Sequence, residues 1–532
     1  MVTLAFSSSQ RKIVICLPGD IIVNSPSPDK FSLSIPTLVI GGTHSGVGKT
    51  SVAIGLMRAL SNQGMQVQPF KVGPDFIDPG HHQRATGRVS HNLDGWMLNP
   101  SQNREIFARA CQGADLAIVE GVMGLFDGYG ADSEAGSTAE LAKWLEAPVI
   151  LVMNARSLGR SAAAMVAGYA GFDPDLAVAG VICNQIGSAS HLDRIRAAIA
   201  KTVQIPVLGG LPRAERVSIP ERHLGLWRAA EDNLSHPDYI ESLAQLIGAN
   251  IDLGALVEIA QSATPSVLPS TRSRAETPLV ASLPVRIGVA QDQAFCFYYA
   301  VNLSLLEQAG AELVPFSPLR DALPENLDGI YLGGGYPELY AEQLAENRAM
   351  REQIAAFGRL GQPIYGECGG LMYLSEGLLG SEHQVYPFAG ILPFWTQMGK
   401  RVKLGYRQVE VTGANCCFPQ HGTIRGHRFH YSDIVDAAGD LLNLKPNFSD
   451  PIDLLSKAKD FTCTIPGAKT NSITHHSQSL RFNYRLQGWG DYQSWEGYQV
   501  YNVLASYVHL HFGSNPAFPQ QFVQLCSSAS VR

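Results

Sequence analysis

The sequence predicts an α/β protein built from two doubly wound domains, and three observations carry that prediction. The chain has 532 residues, more than one hydrophobic core organises. Short apolar segments alternate with helical stretches in two separate series, the pattern of parallel sheets covered on both faces. A Ser-, Thr-, Pro- and Ala-rich stretch, SATPSVLPSTRSRAETPL, divides the two series and reads as a linker over 251–284.

Taken in order, residues 1–36 hold one short apolar run, Ile13 to Leu17, followed by Pro, Asp, Asn and Ser. They read as a loosely attached extension without a catalytic role. The first series runs TLVIGG from Thr37, VQPFKVG from Val67, ADLAIVEG from Ala114, APVILVMN from Ala147 and AVAGVICNQI from Ala177, which sets the first domain at 37–250. The second runs RIGVAQD from Arg286, ELVPFSP from Glu312, DGIYLGGG from Asp328 and QPIYGECGG from Gln362, which sets the second at 285–520. Near 440–494 the chain turns polar and irregular (LKPNFSDP, TNSITHHSQS), as a surface insertion would.

Bulk properties exclude several classes. Hydrophobic residues at 45% and charged residues at 16% support packed cores over disorder. A net charge of −7 argues against nucleic acid as an obligate partner, because neutralising phosphates calls for a basic face. The nine cysteines include no CxxC pair, so neither a disulfide framework nor a zinc site is suggested, and a reducing cytoplasm fits. No apolar run approaches the roughly 18 to 20 residues of a membrane helix, so a soluble protein without a membrane partner is expected.

The segment GGTHSGVGKT, Gly41 to Thr50, follows an apolar strand and opens the helical stretch SVAIGLMRAL. In that context small residues let backbone N–H groups converge on an anion, Lys49 adds a compact positive charge and Thr50 can offer its hydroxyl to Mg²⁺. A polyphosphate is the expected guest. Glycine precedes the GKT by six positions, Gly42 to Gly48, one more than in the usual P-loop. Beyond the next strand, KVGPDFIDPGHH places Lys71, Asp75 and Asp78 at a strand end, where α/β sheets bind ligands. The alternative is a proline turn that the aspartates merely cap. Glu120 leaves a buried strand, well placed to hold a metal opposite Thr50, and Asp127 sits in the glycine-rich turn after it. His81 and His82 read as an exposed turn pair with no part in the site.

In the second domain IYGECGGLMYL puts Cys368 after a short strand, among Gly366, Gly369 and Gly370, and before a helical stretch. This is the strand-turn-helix elbow that presents a nucleophile in a strained turn, and a helix N-terminus favours the thiolate. Gly333 to Gly335, in IYLGGGYPELY, could receive an oxyanion through backbone N–H groups at Gly334 and Gly335. The alternatives are a small buried cysteine and an ordinary glycine turn. In SYVHLHF, His509 and His511 stand two residues apart on a short extended segment, and one of them is expected to face Cys368.

Together GGTHSGVGKT, FKVGPDFIDP, VEGVMGLFDG and VICNQI resemble the synthetase half of the cobyrinic acid a,c-diamide synthases, a dethiobiotin synthetase-like P-loop domain with the same stretched loop. The region Gly333 to Phe512, including FWTQMGKRVKLGYR and IRGHRFHYS, resembles the class I, triad-type glutaminases with a flavodoxin-like fold. The resemblance covers most of Ile35 to Phe512. It implies ATP held by Thr43, Ser45, Gly46, Val47, Gly48, Lys49 and Thr50, with Asn184 near the adenine. It also implies substrate and intermediate handling by Lys71, Asp75, Ile77 and Asp127, and Mg²⁺ on Thr50, Asp75 and Glu120. His509 is chosen as the base for Cys368, and glutamine as the ammonia source. Many relatives carry a glutamate two residues after this histidine where His511 stands here, which leaves the third member of the triad open, with a Cys/His dyad as the alternative.

The implied reaction is amidation of the a and c carboxylates of cobyrinate, a corrinoid tetrapyrrole, through acyl phosphates. Lys71, Arg84, Lys400, Arg401 and Lys403 are candidate contacts for its carboxylates. Rival readings are a,c-diamidation of nickel-sirohydrochlorin or hydrogenobyrinate, cobyric acid synthesis, and a P-loop ATPase with a glutaminase-like binding module. The residues leave the oligomeric state open, with a homodimer as the candidate assembly.

Overall fold

A computed structural model describes residues 32–33, 35–213, 237–263, 268–269, 284–380, 384–412, 422–442, 480–488 and 493–529. Its first sheet uses β1 (Thr37–Gly42), β2 (Val67–Val72), β3 (His91–Leu93), β4 (Leu116–Glu120), β5 (Val149–Asn154), β6 (Val178–Ile186) and β7 (Val207–Pro212). All seven strands are parallel, in the order β3-β2-β4-β1-β5-β6-β7. Every residue of β1, β2 and β4 is buried, which is why they read as largely apolar runs: helices cover both faces. Strand order reverses beside β1, and the crevice beyond its carboxyl end is where such a sheet accepts a ligand.

Helix α1 (Lys49–Asn62) leaves that crevice, and α2 (Asp78–Thr86) follows β2. A third helix, α3 (Pro237–Asn250), lies on α1 at Gly55, where any Cβ would stand 2.5 Å from Ile247 Cγ1. The expected linker begins too early. Its first residues form α4 (Leu253–Ser262), capped by the Asp252 carboxylate on the Ala255 N–H at 3.0 Å, with Leu253, Leu256 and Ala260 buried. Their spacing repeats at one face of a helix, a signal masked by the polar stretch that follows. Within the expected extension and linker, Ser32–Leu33 and Leu268–Pro269 pair antiparallel.

The second half contains a twelve-stranded mixed sheet among the described residues. Its parallel part uses β8 (Val285–Ala290), β10 (Ala311–Phe316), β11 (Gly329–Leu332), β13 (Ile364–Glu367) and β18 (Val503–Ser506), ordered β10-β8-β11-β13-β18. Two short strands, β9 (Phe295–Phe297) and β12 (Gly334–Gly335), pair beside it. Antiparallel strands β14 (Leu392–Val411), β15 (Thr423–Val435), β16 (Arg481–Gln487), β17 (Gln493–Val500) and β19 (Val508–Leu510) extend the sheet. The expected irregular insertion therefore holds sheet strands at its end: β16 pairs antiparallel with β14, and the start of β17 pairs antiparallel with β16. Residues 443–479 of that insertion, and 1–31 of the extension, lie outside the described residues.

Helix α5 (Gly369–Leu374) starts directly after β13 and is buried throughout. It reaches β11 so closely that a Cβ on Gly370 would stand 2.2 Å from the Leu332 carbonyl oxygen, while the Gly370 N–H donates to the Gly333 carbonyl at 2.9 Å. Because the obstacle is strand backbone, Gly370→Ala is expected to destabilise the protein by about 1–3 kcal/mol through overpacking. A lower urea midpoint is the readout, and an unchanged midpoint contradicts this packing.

Candidate active sites

The loop from β1 to α1 is exposed at His44, Ser45 and Gly46 and closes on Gly48, whose φ of 100° lies in the left-handed region that glycine adopts freely. The first N–H groups of α1, which no helical carbonyl can accept, face outward there. The Lys49 ammonium donates to the carbonyls of His44, at 3.3 Å, and Met123. Burial, and then the neighbouring Lys71 ammonium, lowers it from 10.5 to about 8. Asn184 extends from β6 to the loop, donating to the Val47 carbonyl at 2.9 Å and lying where a Cβ on Gly48 would clash. Thr43 anchors the loop through its N–H on the Val152 carbonyl, 3.1 Å, and its carbonyl accepts the Tyr169 hydroxyl.

Behind the loop lies a dry cluster of charge. The Thr50 hydroxyl donates to Glu120 Oε1 at 2.6 Å and faces Asp78 Oδ2 at 3.4 Å. The Lys71 ammonium pairs with Asp78 at 2.7 Å and Glu120 at 2.8 Å, all three side chains being no more than 4% exposed. Burial alone would lower Lys71, but the two carboxylates override it and hold the ammonium above its ordinary value. Burial likewise works against ionised Glu120, but Lys71 and His82 together more than offset it, so Glu120 sits below the usual carboxylate value. His82 closes the cluster, with Nε2 at 2.6 Å from Glu120 and Nδ1 at 3.2 Å from the Ser90 hydroxyl.

This arrangement differs from expectation in three respects. Asp75 does not stand opposite Thr50: its Oδ1 accepts the N–H groups of Ile77 (2.8 Å) and Asp78 (3.0 Å) and so caps α2. Asp78, one turn on, takes the position beside Thr50. His82 is fully buried against Glu120 rather than an exposed turn residue, and Lys71 is committed to the two carboxylates rather than open to a substrate. Spacing could have found His82, since it lies four residues after Asp78 and so on the same helix face. Asp127 caps its own turn, accepting the Gly124 N–H at 2.9 Å. Of the other candidate contacts for carboxylates, Lys403 pairs with Asp433, and Arg84 contacts His81 at 2.8 Å. Among the described residues no group of three or more His, Cys, Asp or Glu is preassembled for a metal.

In the second half Cys368 has φ 49° and ψ −99°, a strained backbone for a residue with a side chain. Its N–H donates to the Ser506 carbonyl at 2.8 Å, and its sulfur lies 3.8 Å from the Phe429 carbonyl. The expected thiolate is not favoured. Burial, and then the carboxylates of Glu338, Glu367 and Glu496, push the thiol up, against a smaller opposing effect of the Gly369 N–H. Gly334 lies against the His509 ring, where a Cβ would meet Cε1 at 2.4 Å, and a Cβ on Gly369 would approach the Gly335 nitrogen at 3.2 Å. The glycine strand β12 thus touches both the elbow and the imidazole.

His509 is 1% exposed, and burial lowers it from 6.5 to about 3, so the ring is neutral. Its Nδ1 has no hydrogen-bond partner among the described residues, and neither nitrogen of the fully buried His511 has one. His511 instead packs on Tyr299, ring centroids 4.8 Å apart. The strand carrying His509 is pinned by residues that motif reading missed. Glu367 accepts the Leu510 N–H at 3.0 Å, and Asn302 donates to the Leu510 carbonyl at 2.7 Å while accepting the Phe512 N–H at 2.8 Å. Glu367 also accepts hydroxyls from Tyr365 and Tyr331, and burial raises it to about 7.

The two halves meet beside this base. The Tyr406 hydroxyl donates to buried Asp94 at 2.8 Å, the Arg425 guanidinium donates to the Trp96 carbonyl at 2.7 Å and covers its ring, and the Gln102 amide donates to the Gly513 carbonyl at 2.7 Å.

Comparison with known proteins matches each half of the chain to a domain family. Residues 38–226 match the CobQ/CobB/MinD/ParA nucleotide binding domain, and residues 286–448 match the CobB/CobQ-like glutamine amidotransferase domain. Over 94% of its length the chain is 43% identical to the whole cobyrinate a,c-diamide synthase of Syntrophotalea carbinolica. The chain belongs to the cobyrinate a,c-diamide synthase family. Over 93% of the chain it is 40% identical to the enzyme of that name from Leptospira interrogans, covering 99% of that protein. The Archaeoglobus fulgidus cobyrinate a,c-diamide synthase is likewise 40% identical, over 92% of this chain and 98% of the relative. A nucleotide-binding domain and a glutamine amidotransferase domain in one chain make it an ATP-dependent ligase with glutamine as amido donor. Among the described residues no helix is long and apolar enough to cross a membrane.

Two outcomes follow for this family member. Lys71→Met strands two buried carboxylates and is expected to cost about 3–5 kcal/mol of stability; an unchanged urea midpoint would show that the cluster is not held by charge. Because the base is already neutral and the thiol protonated, kcat/KM for glutamine hydrolysis is expected to climb from neutral into alkaline pH without an acid limb near 6.5. A pH–rate profile with such a limb contradicts the buried, neutral assignment of His509.

Proposed function

We propose that the chain amidates the a and c side-chain carboxylates of cobyrinate, a step of cobalamin biosynthesis, consuming one ATP and one glutamine for each amide. What carries this reading is the pairing of both sites with near-full-length similarity to enzymes of that name. In the first half, N–H groups around Gly46 to Thr50, with Lys49, hold the phosphates, and Asn184 lies at the nucleoside end. A substrate carboxylate oxygen attacks the γ-phosphorus and ADP leaves, giving an acyl phosphate with a competent leaving group.

The hydroxyl of Thr50 and the carboxylates of Glu120 and Asp78 are hard oxygen donors on one side of the loop, a set that fits Mg²⁺. When bound there the ion would neutralise phosphate charge. Lys71 pairs with both carboxylates and, with His82, holds Glu120 below the usual carboxylate value. Asp75 and Ile77 act through the loop they shape, and Asp127 through the turn carrying Met123.

In the second half Cys368 sulfur attacks the glutamine carboxamide. His509 takes the thiol proton and returns it to the departing nitrogen, while Gly334 and Gly335 N–H groups receive the oxyanion. Ammonia leaves, and water hydrolyses the thioester to glutamate. The ammonia attacks the acyl phosphate, giving amide and inorganic phosphate. Cytoplasmic location is the corresponding setting, and the five described cysteines are free.

With MgATP, glutamine and a panel of cobyrinate, hydrogenobyrinate and nickel-sirohydrochlorin, mass spectrometry is expected to find two added amides on cobyrinate. Cys368→Ala is expected to abolish amidation from glutamine and to retain it from ammonium chloride. No amide gained on any macrocycle, from either donor, overturns the proposal.

A further inference from the structure

The loop between β2 and α2, residues 73–77, crosses from the nucleotide half into the glutaminase half. It presents Phe76 to four rings of the other half: Phe297 at 5.2 Å and nearly parallel, Tyr299 at 4.7 Å, His427 at 5.6 Å and His509 at 4.9 Å. His427 is the cross-strand neighbour of His509 and stacks on it at 5.2 Å, its own Nδ1 being fixed at 3.0 Å from the Tyr299 hydroxyl. The imidazole of His509 is thus enclosed by Gly334, His427 and Phe76, and Phe76 alone among these comes from the nucleotide half. His509 Nδ1 has no hydrogen-bond partner among the described residues to orient the ring, so these packing contacts contribute to its orientation.

The root of the same loop is tied to the phosphate site. Asp75 caps α2 through Ile77 and Asp78, Asn92 donates to the Gly73 and Asp75 carbonyls at 2.9 and 2.7 Å, and Asp78 reaches Lys71 and Thr50. A displacement of Asp78 when nucleotide binds would be transmitted within three residues to Phe76.

We propose that Phe76 is a positioning residue for the glutaminase base: its ring, delivered by the nucleotide-binding half, completes the apolar wall that orients His509 and keeps water from it. This deepens the proposed amidotransferase reading and rests on it. The ring also couples the halves, because the base is correctly held only when the loop beside Lys71 and Asp78 is in place.

The test compares Phe76→Ala and Phe76→Leu with the native chain in the full-length protein, after thermal melts confirm folding. Glutamine hydrolysis is followed by glutamate release, and amidation is driven in turn by glutamine and by ammonium chloride. For Phe76→Ala, kcat for glutamine hydrolysis is expected to fall about tenfold to hundredfold, the range for a misplaced catalytic group, with KM for glutamine nearly unchanged. An acid limb should appear in its pH profile as water reaches His509, and glutamate formed per amide should rise above that of the native chain. Amidation from ammonium chloride should persist, and Phe76→Leu should recover most of the lost rate. An unaltered kcat, pH profile and glutamate-to-amide ratio overturns the proposal, as does an equal loss of ammonium-driven and glutamine-driven amidation. If the native chain amidates nothing from either donor, the broader reading fails, while glutamine hydrolysis still decides the role of Phe76.

Discussion

The buried Lys71 ammonium is the interaction on which the nucleotide half depends. Two carboxylates and a hydroxyl cannot share a dry strand end without it, because an unpaired ionised group there carries a desolvation cost of several kcal/mol. With Lys71 between them, Asp78 and Glu120 remain charged beside Thr50 and available to an incoming cation. The same ion pair fixes the first turn of α2, and therefore the loop whose Phe76 lies on His509. One positive charge thus organises contacts on both sides of the domain boundary.

The glutaminase centre rests on a different principle. Its sulfur is a thiol on a strained backbone and its imidazole is neutral and dry, so no resting ion pair holds them together. Orientation comes from what surrounds them: Glu367 and Asn302 clamp the strand of the base, and Gly334 admits its ring. His511, where a glutamate stands in many relatives, contributes packing on Tyr299 and no hydrogen bond among the described residues. A preorganised but uncharged pair makes its charge separation only when a substrate carboxamide supplies the oxyanion that the glycine N–H groups await.

Much of this was legible in sequence because the chemistry is local there. The loop from Gly41 to Thr50 and the elbow at Cys368 are each short, with glycines at positions that backbone geometry demands, and both lie where the apolar strands placed them. The parallel sheets were legible because burial on both faces leaves continuous apolar runs. What escaped was set by neighbours distant in the chain. Asp75 and Asp78 are three residues apart with the same chemistry, and only folding decides that one caps the helix while the other meets Lys71. His82 looks like a turn residue until Glu120, 38 residues away, closes on it. Helix α4 was concealed by the polar run that follows it, and β16 by the irregular segment that precedes it. Phe76 lies within a recognised motif, but its four aromatic partners come from a half that begins more than 200 residues later.

Asp94 has a consequence for biosynthesis of the chain itself. Its carboxylate accepts the backbone N–H groups of Trp96 and Met97 as well as the Tyr406 hydroxyl. The first two donors belong to its own turn and exist as soon as the first half folds; the third is translated more than 300 residues later. The first half can therefore fold on the ribosome with Asp94 still wetted and already held in its final turn. During that interval Trp96 rests on Tyr129 but lacks Tyr406, and Phe76 lacks its four partner rings, so the nascent protein displays an aromatic face until the later strands arrive to cover it.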